Sequence, residues 1–374
     1  MGPGRFIVGA ALATALTGGT PGRCPAQIVY GDDPSAKMRL VVTTWKTEGE
    51  RDETLTQTLV PVFGYLPLGN DAEGRIYLAH VANSLDSAGG TDRLGGFTDA
   101  RFQVNKSFHE DRLLLSAGAS LPTGKTELDL DGDLRVTTAL SRDFLSYPNR
   151  RLGEGLGLNL LVGGAAVLGT TRLGTSLSYH WNGSYTAFAD QGDYRPGSYL
   201  RLYGGARRQT GPVEISGGAA LIAYGDDTLD GRSAYNRGTQ GELQLGAGYT
   251  RPDFQASLQS QVFLRGGNEI FDLTGSQPSQ VDLYGDEFAL TASCSWFLRG
   301  RTLEIGPLVD LRTIGANGLG LGSSHTLGLG VQGYYRLTPA LRCGLGLRGY
   351  TGQADGGALD LSGSQIAASI GGVL

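Results

Sequence analysis

Four histidines, three cysteines and two groups of aspartates are the side chains with which this 374-residue chain could do chemistry. Ser178-x-His180-x-Asn182 alone sets a hydroxyl, an imidazole and an amide at a spacing of two. Residues two apart share one face of a strand, but there they stand too far apart for the Ser–His hydrogen bond that activates a nucleophile. His180 therefore reads as a polar side chain on a wall, and no enzymatic activity is expected. Asp129-Leu130-Asp131-Gly132-Asp133, with Glu127 nearby, offers the oxygen donors of a calcium loop. The twelve-residue pattern that closes on a glutamate is missing, because Ser141 and Arg142 occupy that neighbourhood. Asp226, Asp227 and Asp230 form a similar group. Both read as acidic, solvated loops, so neither a metal nor a cofactor is expected.

The elements that carry these residues alternate apolar and polar side chains. Leu113, Leu115, Ala117, Ala119 and Leu121 interleave with Ser116, Gly118 and Ser120. Phe254, Ala256, Leu258, Ser260, Val262 and Leu264 interleave with Gln255, Ser257, Gln259 and Gln261. Phe288, Leu290, Ala292, Cys294, Trp296 and Leu298 do so with Glu287, Thr291, Ser293 and Ser295. Period-two alternation of this length makes a strand with one apolar and one polar face. Repeated along a chain, it is the pattern of an all-β, antiparallel transmembrane β-barrel. The 61 glycines are about twice the usual share of about 7% and suit tight turns and close strand packing.

Residues 1–26 read as a secretory signal: Arg5 is the basic end, Phe6 to Leu16 the apolar core, and Cys24-Pro25-Ala26 the small-residue exit. A short periplasmic segment, 27–36, then leads into a barrel over 37–374. The formal charge of −5 has no dominant basic patch, so nucleic acid is not an expected partner. Cys294 and Cys343 lie on apolar faces and read as small fillers rather than a disulfide.

About sixteen strands are expected, with fourteen as the alternative. Short connections such as His109-Glu110-Asp111, Gln209-Thr210-Gly211 and Arg299-Gly300-Arg301 alternate with long ones at 84–96, 122–153, 189–196, 225–235, 266–284, 314–322 and 351–362. Short periplasmic turns and long outer loops are the habit of outer-membrane barrels, and this order places both termini in the periplasm. Tyr249, Trp296 and Tyr335 on one side, with Tyr179 and Trp181 on the other, suit the two membrane interfaces. The opposite face carries Arg101, Gln103, Arg172, His180, Arg201, Gln255, Gln259, Glu287, Asp310, Arg312, Gln332, Arg336 and Arg342. A charge facing lipid at the midplane costs about 2–4 kcal/mol, so these side chains are expected to line the lumen.

The third outer loop, 122–153, holds Leu134, Val136, Leu140, Phe144 and Leu145 in a segment, Asp133 to Tyr147, that reads as an amphipathic helix stopped by Pro148. An apolar stripe on a polar loop needs a surface to bury against, and the inner wall is the nearest. Val136, Leu140 and Phe144 are therefore expected to form a gate or constriction. A helix lying across the barrel mouth is the alternative.

Gly96-Phe97-Thr98-Asp99-Ala100-Arg101-Phe102, followed by Leu113 through Leu121-Pro122-Thr123-Gly124, resembles the outer-membrane transporter family labelled meta-pathway of phenol degradation. That family is distantly similar to the long-chain fatty-acid transporter barrels. The resemblance covers about 30 residues and implies uptake of small hydrophobic or aromatic compounds. The chain departs from it in two ways: about ten residues precede the first strand where fatty-acid transporters have a luminal hatch, and the last residues are Gly372-Val373-Leu374 rather than an aromatic. The expected role is a passive channel or transporter in the outer membrane of a diderm bacterium. Its partners would be lipid and lipopolysaccharide, the outer-membrane assembly machinery and a small-molecule solute. A structural or surface barrel, adhesin- or receptor-like and without transport, is the alternative.

Overall fold

Because neighbouring strands of such a pattern bury nothing when laid flat in water, closure is the way to satisfy both faces and every backbone group. The computed structural model describes residues 34–49, 52–69, 71–188, 192–271 and 278–373. The signal-peptide expectation over 1–26 lies outside the described residues. The barrel strands, numbered in chain order, are β1 (Ser35–Glu48), β2 (Glu53–Pro67), β3 (Ala72–Ser87), β4 in two segments (Gly90–Phe97 and Ala100–Phe108) and β5 (Leu113–Leu121). There follow β6 (Gly157–Leu168), β7 (Thr171–Asn182), β8 (Tyr199–Thr210), β9 (Val213–Tyr224), β10 (Gln240–Thr250) and β11 (Phe254–Arg265). The circuit ends with β12 (Glu287–Leu298), β13 (Leu303–Ile314), β14 (Ser324–Arg336), β15 (Leu341–Ala354) and β16 (Leu359–Val373). Each pairs antiparallel with the next, and β16 returns to β1 in register from Ser35↔Val373 to Glu48↔Asp360. The barrel is closed, with sixteen strands.

Outward positions between the two ends are apolar and exposed: Leu158, Leu160 and Val162 on β6, Leu243 and Leu245 on β10, Leu327, Leu329 and Val331 on β14. Cys294 and Cys343 share that face, and neither is in a disulfide. Tyr249, Trp296 and Tyr335 lie outward at the short-turn end; Phe254 links the first two, its ring 6.3 Å from Tyr249 and 5.8 Å from Trp296. Tyr179 and Trp181 lie outward at the long-loop end. This is an apolar band between two aromatic rows, a surface made for lipid. It leads to a sharp contrast within β11. Leu258→Arg places a charge in hydrocarbon at about 2–4 kcal/mol and is expected to abolish assembly, read as loss of heat-modifiable migration on gels. Gln259→Arg faces the lumen and is expected to assemble as the parent; equal behaviour of the two would mean that β11 does not face lipid.

The seam β16–β1–β2–β3 breaks this rule. Its outward apolar run is short (Met38, Leu40 and Val42 on β1) and gives way to Thr44 and Lys46. The partners Thr54 and Thr56 on β2 and Ser362 and Ser364 on β16 are polar as well, and Thr44 Oγ1 lies 3.1 Å from Thr56 Oγ1. On the inner side the same strand ends carry Val41, Trp45, Leu55, Leu59, Val81 and Leu85, all buried. The two faces are therefore inverted. With 15 and 16 residues, β2 and β3 exceed the roughly 9–11 that cross a bilayer. Their outer ends stand clear of the hydrocarbon as a wall that is polar outside and apolar inside.

Two expectations are corrected at this wall. The stretch 84–96 is not a loop: β3 runs on to Ser87 and pairs with Gly90–Phe97 as a hairpin. Leu85 and Leu94 supply the reason, since both are buried on its inner face. The loops expected at 189–196, 225–235 and 266–284 also contain short strands. Tyr185–Thr186, Asp193–Arg195, Asp227–Leu229, Arg232–Asn236, Asn268–Ile270 and Ser279–Val281 pair into a second, six-stranded sheet.

Candidate functional site

Pairing register places every residue expected in the lumen on an inward position. Arg101 and Gln103 lie beside Ser120 and Gly118, which alternate with lipid-facing Ala119 and Leu121. Arg172 and His180 on β7 pair with Arg207 and Tyr199 on β8, and Arg201 lies between these two on the same face of β8. Gln255 and Gln259 pair with Thr250 and Gly246. Glu287, Asp310 and Arg312 share the inner face of β12 and β13, Gln332 and Arg336 that of β14, and Arg342 that of β15.

These ionised groups are mostly paired across strands. Arg201 donates to Glu242 at 3.0 Å and Arg348 to Asp310 at 3.0 Å, and Arg342 is bonded to Glu304. Buried Glu287 lies between Arg265 at 2.8 Å and Arg312 at 2.9 Å. At the outer end of β7–β9 the rings of His180, Tyr199 and Tyr224 stand in one row. His180 and Tyr199 are stacked at 4.3 Å, and Tyr224 follows at 5.4 Å. His180 is thus a stacked ring on the wall rather than half of a Ser–His pair. Below the row, Tyr203 lies flat on the wall. A Cβ at Gly218 would meet its hydroxyl at 2.6 Å and one at Gly205 at 2.5 Å, so both positions must be glycine for the ring to lie down. A recumbent ring narrows the lumen less than a standing one.

Against this inner wall packs the third outer loop. Its helix, α1 (Gly132–Ser141), is shorter than the expected Asp133–Tyr147. Arg142 turns to extended backbone, with φ −60° and ψ 115°, and the chain continues irregularly. The reason is burial: beyond Ser141 the apolar residues no longer keep to one helical stripe, yet Phe144, Leu145 and Tyr147 all go inward, and the Tyr147 hydroxyl donates to the Leu55 carbonyl. Val136 is 0% exposed, Leu140 1% and Phe144 8%. With Ala139, Leu145 and Leu152 they join one apolar cluster with Val41, Trp45, Leu55, Leu59, Val81, Leu85, Leu94, Ile314 and Leu361. Burying a side chain of this size stabilises by about 1.5–3 kcal/mol, which offsets part of the about 1–2 kcal/mol that ordering each loop residue costs. The inverted inner face of β1–β3 is thus the seat of the loop.

Polar contacts set the register of the seat. Arg135 bridges to Asp92 on the hairpin at 3.0 Å, and Arg142 to Glu53 at 2.6 Å. Buried Gln57 on β2 accepts from the Asn149 N–H at 3.1 Å and donates to the Asn149 carbonyl at 2.5 Å, as a neighbouring strand would. On the far side, Asp143 reaches the Arg265–Glu287–Arg312 triad: its carboxylate lies 3.6 Å from Arg265, and its carbonyl accepts from Arg312. The loop spans from one wall to the other. Among the expected lumen residues, Arg312 meets it, whereas Gln255, Gln259, Arg336 and Arg342 have no contact with it among the described hydrogen bonds and ion pairs.

Both ends of the loop are held by one side chain. Asp99, between the two segments of β4, accepts the Gly124 N–H on Oδ1 at 2.9 Å and the Glu154 N–H on Oδ2 at 2.6 Å. Thr98 Oγ1 accepts from Ala79 N–H, and Thr123 Oγ1 accepts from Ala100 N–H. Burial pushes the Asp99 carboxyl above its ordinary range, partly offset by the N–H donors of Glu154 and Gly124. Sequence reading missed Asp99, Gln57, Asp143 and Arg265 as loop contacts. The only signal for Asp99 was its place in the motif Gly96–Phe102.

The acidic loop groups are engaged within the protein. Asp133 pairs with Lys125 and accepts the Asp129 N–H, and Asp227 takes the Tyr194 hydroxyl and the Gly197 N–H. No group of three or more metal-ligating side chains is found among the described residues.

No protein-family model matches the chain, and no curated protein matches it, so the resemblance stays with the residues that carry it. Solved barrels are similar in architecture. Pseudomonas aeruginosa OprD is 13% identical over 91% of this chain and 95% of that one, with a TM-score of 0.43. Pseudomonas aeruginosa OpdK, solved with vanillate, is 13% identical over 91% and 98%, with a TM-score of 0.44. A bacterial polysaccharide outer membrane secretin is 12% identical over 91% and 98%, with a TM-score of 0.45. At these values the likenesses carry nothing about solute or mechanism.

Proposed function

We propose that the protein is an outer-membrane channel for passive uptake of small solutes, constricted by its inward-packed third outer loop. The observation that carries this reading is a closed sixteen-stranded wall whose inner face is ionised and crossed by one loop. Barrels of sixteen to eighteen strands leave an aqueous channel, whereas about eight strands are filled by their own side chains. Hydrophobic or aromatic solutes are the class that the resemblance implies. The His180–Tyr199–Tyr224 row at the outer end of β7–β9 supports it with aromatic surface on the inner wall. Val136, Leu140 and Phe144 act by anchoring the loop, whose Asp143 reaches the Arg265–Glu287–Arg312 triad on the far wall. In place, the barrel would sit in an outer membrane among lipid and lipopolysaccharide, delivered by the assembly machinery after removal of residues 1–26.

The reading is tested by reconstituting the purified protein in planar bilayers and recording single channels. Discrete openings are expected. Silence from a correctly folded barrel, with the loop and without it, would favour a structural or surface barrel instead.

A further inference from the structure

The inner wall carries a cluster of cations that the loop does not reach. Pairing runs Lys37 on β1 to Gly371 on β16, Gly371 to Arg342 on β15, and Arg342 to Arg336 on β14, so three cations lie along one row of the periplasmic half. Arg39 sits two residues above Lys37 on the same face, beside Ser369. Gly371 leaves no side chain between Lys37 and Arg342; a Cβ there would come within 3.2 Å of the Lys37 stem. The one carboxylate engaged with the cluster is Glu304, bonded to Arg342. Among the described residues, Lys37, Arg39 and Arg336 have no ion-pair partner. Elsewhere on the wall most arginines are matched: Arg201 with Glu242, Arg207 with Glu214, Arg348 with Asp310, and Arg265 and Arg312 with Glu287. The contrast matters because the chain as a whole is acidic, at −5. Four cations against one carboxylate leave a local excess of positive charge on this stretch of the inner wall. Like charges held on adjacent strands raise the local concentration of counter-ions, and a narrow passage between low-dielectric walls focuses that field.

We infer that Lys37, Arg39, Arg336 and Arg342 form an anion-binding subsite that makes the channel selective for small organic anions, carboxylates above all. This rests on the channel reading and narrows its solute: an aryl carboxylate has a ring for the His180–Tyr199–Tyr224 row and a charge for the subsite. The guanidinium of Arg342, stacked 4.2 Å over Tyr334, keeps its edge for Glu304 and its outer face for the lumen. Lys37 and Arg39 supply the uncommitted donors.

The test uses the full mature protein in planar bilayers under a potassium chloride gradient, with benzoate binding to the detergent-solubilised protein as a second readout. The parent is expected to pass chloride in preference to potassium and to bind benzoate. Lys37→Glu with Arg39→Glu is expected to lower the chloride-to-potassium permeability ratio by roughly threefold or more and to abolish benzoate binding. The milder Lys37→Gln with Arg39→Gln replaces it if the double glutamate does not assemble. Lys46→Gln, on the outer surface, is expected to leave both readouts unchanged. A conducting parent without anion preference overturns the subsite while leaving the channel intact, and so does a double variant as selective as the parent. A silent barrel that binds benzoate through Lys37 and Arg39 sinks the channel but keeps the site. One that is silent and binds nothing sinks both.

Discussion

Asp99→Ala is expected to release both ends of the third loop at once. It removes the acceptor of the Gly124 and Glu154 N–H groups. Hydrogen bonds to a charged group contribute about 1.5–3 kcal/mol each, and the two donors are left unsatisfied beside a buried Thr98. The barrel ladder does not depend on this carboxylate, so the expected outcome is local. The loop becomes cleavable by added protease between Gly124 and Glu154, while heat-modifiability of the barrel is unchanged. Asp99→Asn keeps one carbonyl oxygen as acceptor and is expected to lie between the two. If Asp99→Ala leaves the loop as protected as in the parent, the apolar seat alone holds it and the carboxylate is incidental.

The seat itself is the second point of attack, and its effect is larger. Leu140→Asp with Phe144→Asp removes two side chains from the apolar cluster and asks two carboxylates to take their places. Large-to-small losses at such sites run to about 2–5 kcal/mol, and an unpaired buried charge adds to that. The loop is expected to leave the inner wall entirely, giving a larger single-channel conductance and entry of larger solutes. The vacated wall at Trp45, Leu55 and Val81 would then face water, read as a shift in Trp45 fluorescence toward that of an exposed indole. An unchanged conductance together with an exposed Trp45 would mean that the loop covers the wall without narrowing the path.

The barrel was legible in the sequence because most strands obey one rule along their whole length. In β5, β11 and β12 the apolar set faces lipid from end to end, so parity alone placed Gln259 and Glu287 in the lumen. The first three strands break that rule, with their faces inverting near Val41 and Val42. Thr44 and Thr56 turn outward and Trp45 and Leu55 inward, which mixes the two faces of one strand into an ambiguous run. For the same reason 84–96 reads as a loop although it is a hairpin. The loop's apolar stripe announced that it must bury, yet not where, since the receiving wall is assembled from β1–β4, β13, β15 and β16. The staple was illegible for a different reason. Asp99, Gly124 and Glu154 meet through two long connections, and nothing local to Asp99 tells its carboxylate what it will bind. Arg265 and Asp143, at 3.6 Å, are likewise joined only by closure of the barrel.

The central claim is that the third loop crosses and narrows an otherwise open lumen, and single-channel conductance of the parent beside a variant lacking residues 126–147 tests it most directly. The sixteen-strand ladder stays closed without those residues, so the variant is expected to fold and to conduct more than the parent, with fewer and longer closures. Equal conductance of the two would place the loop outside the conducting path and contradict the account.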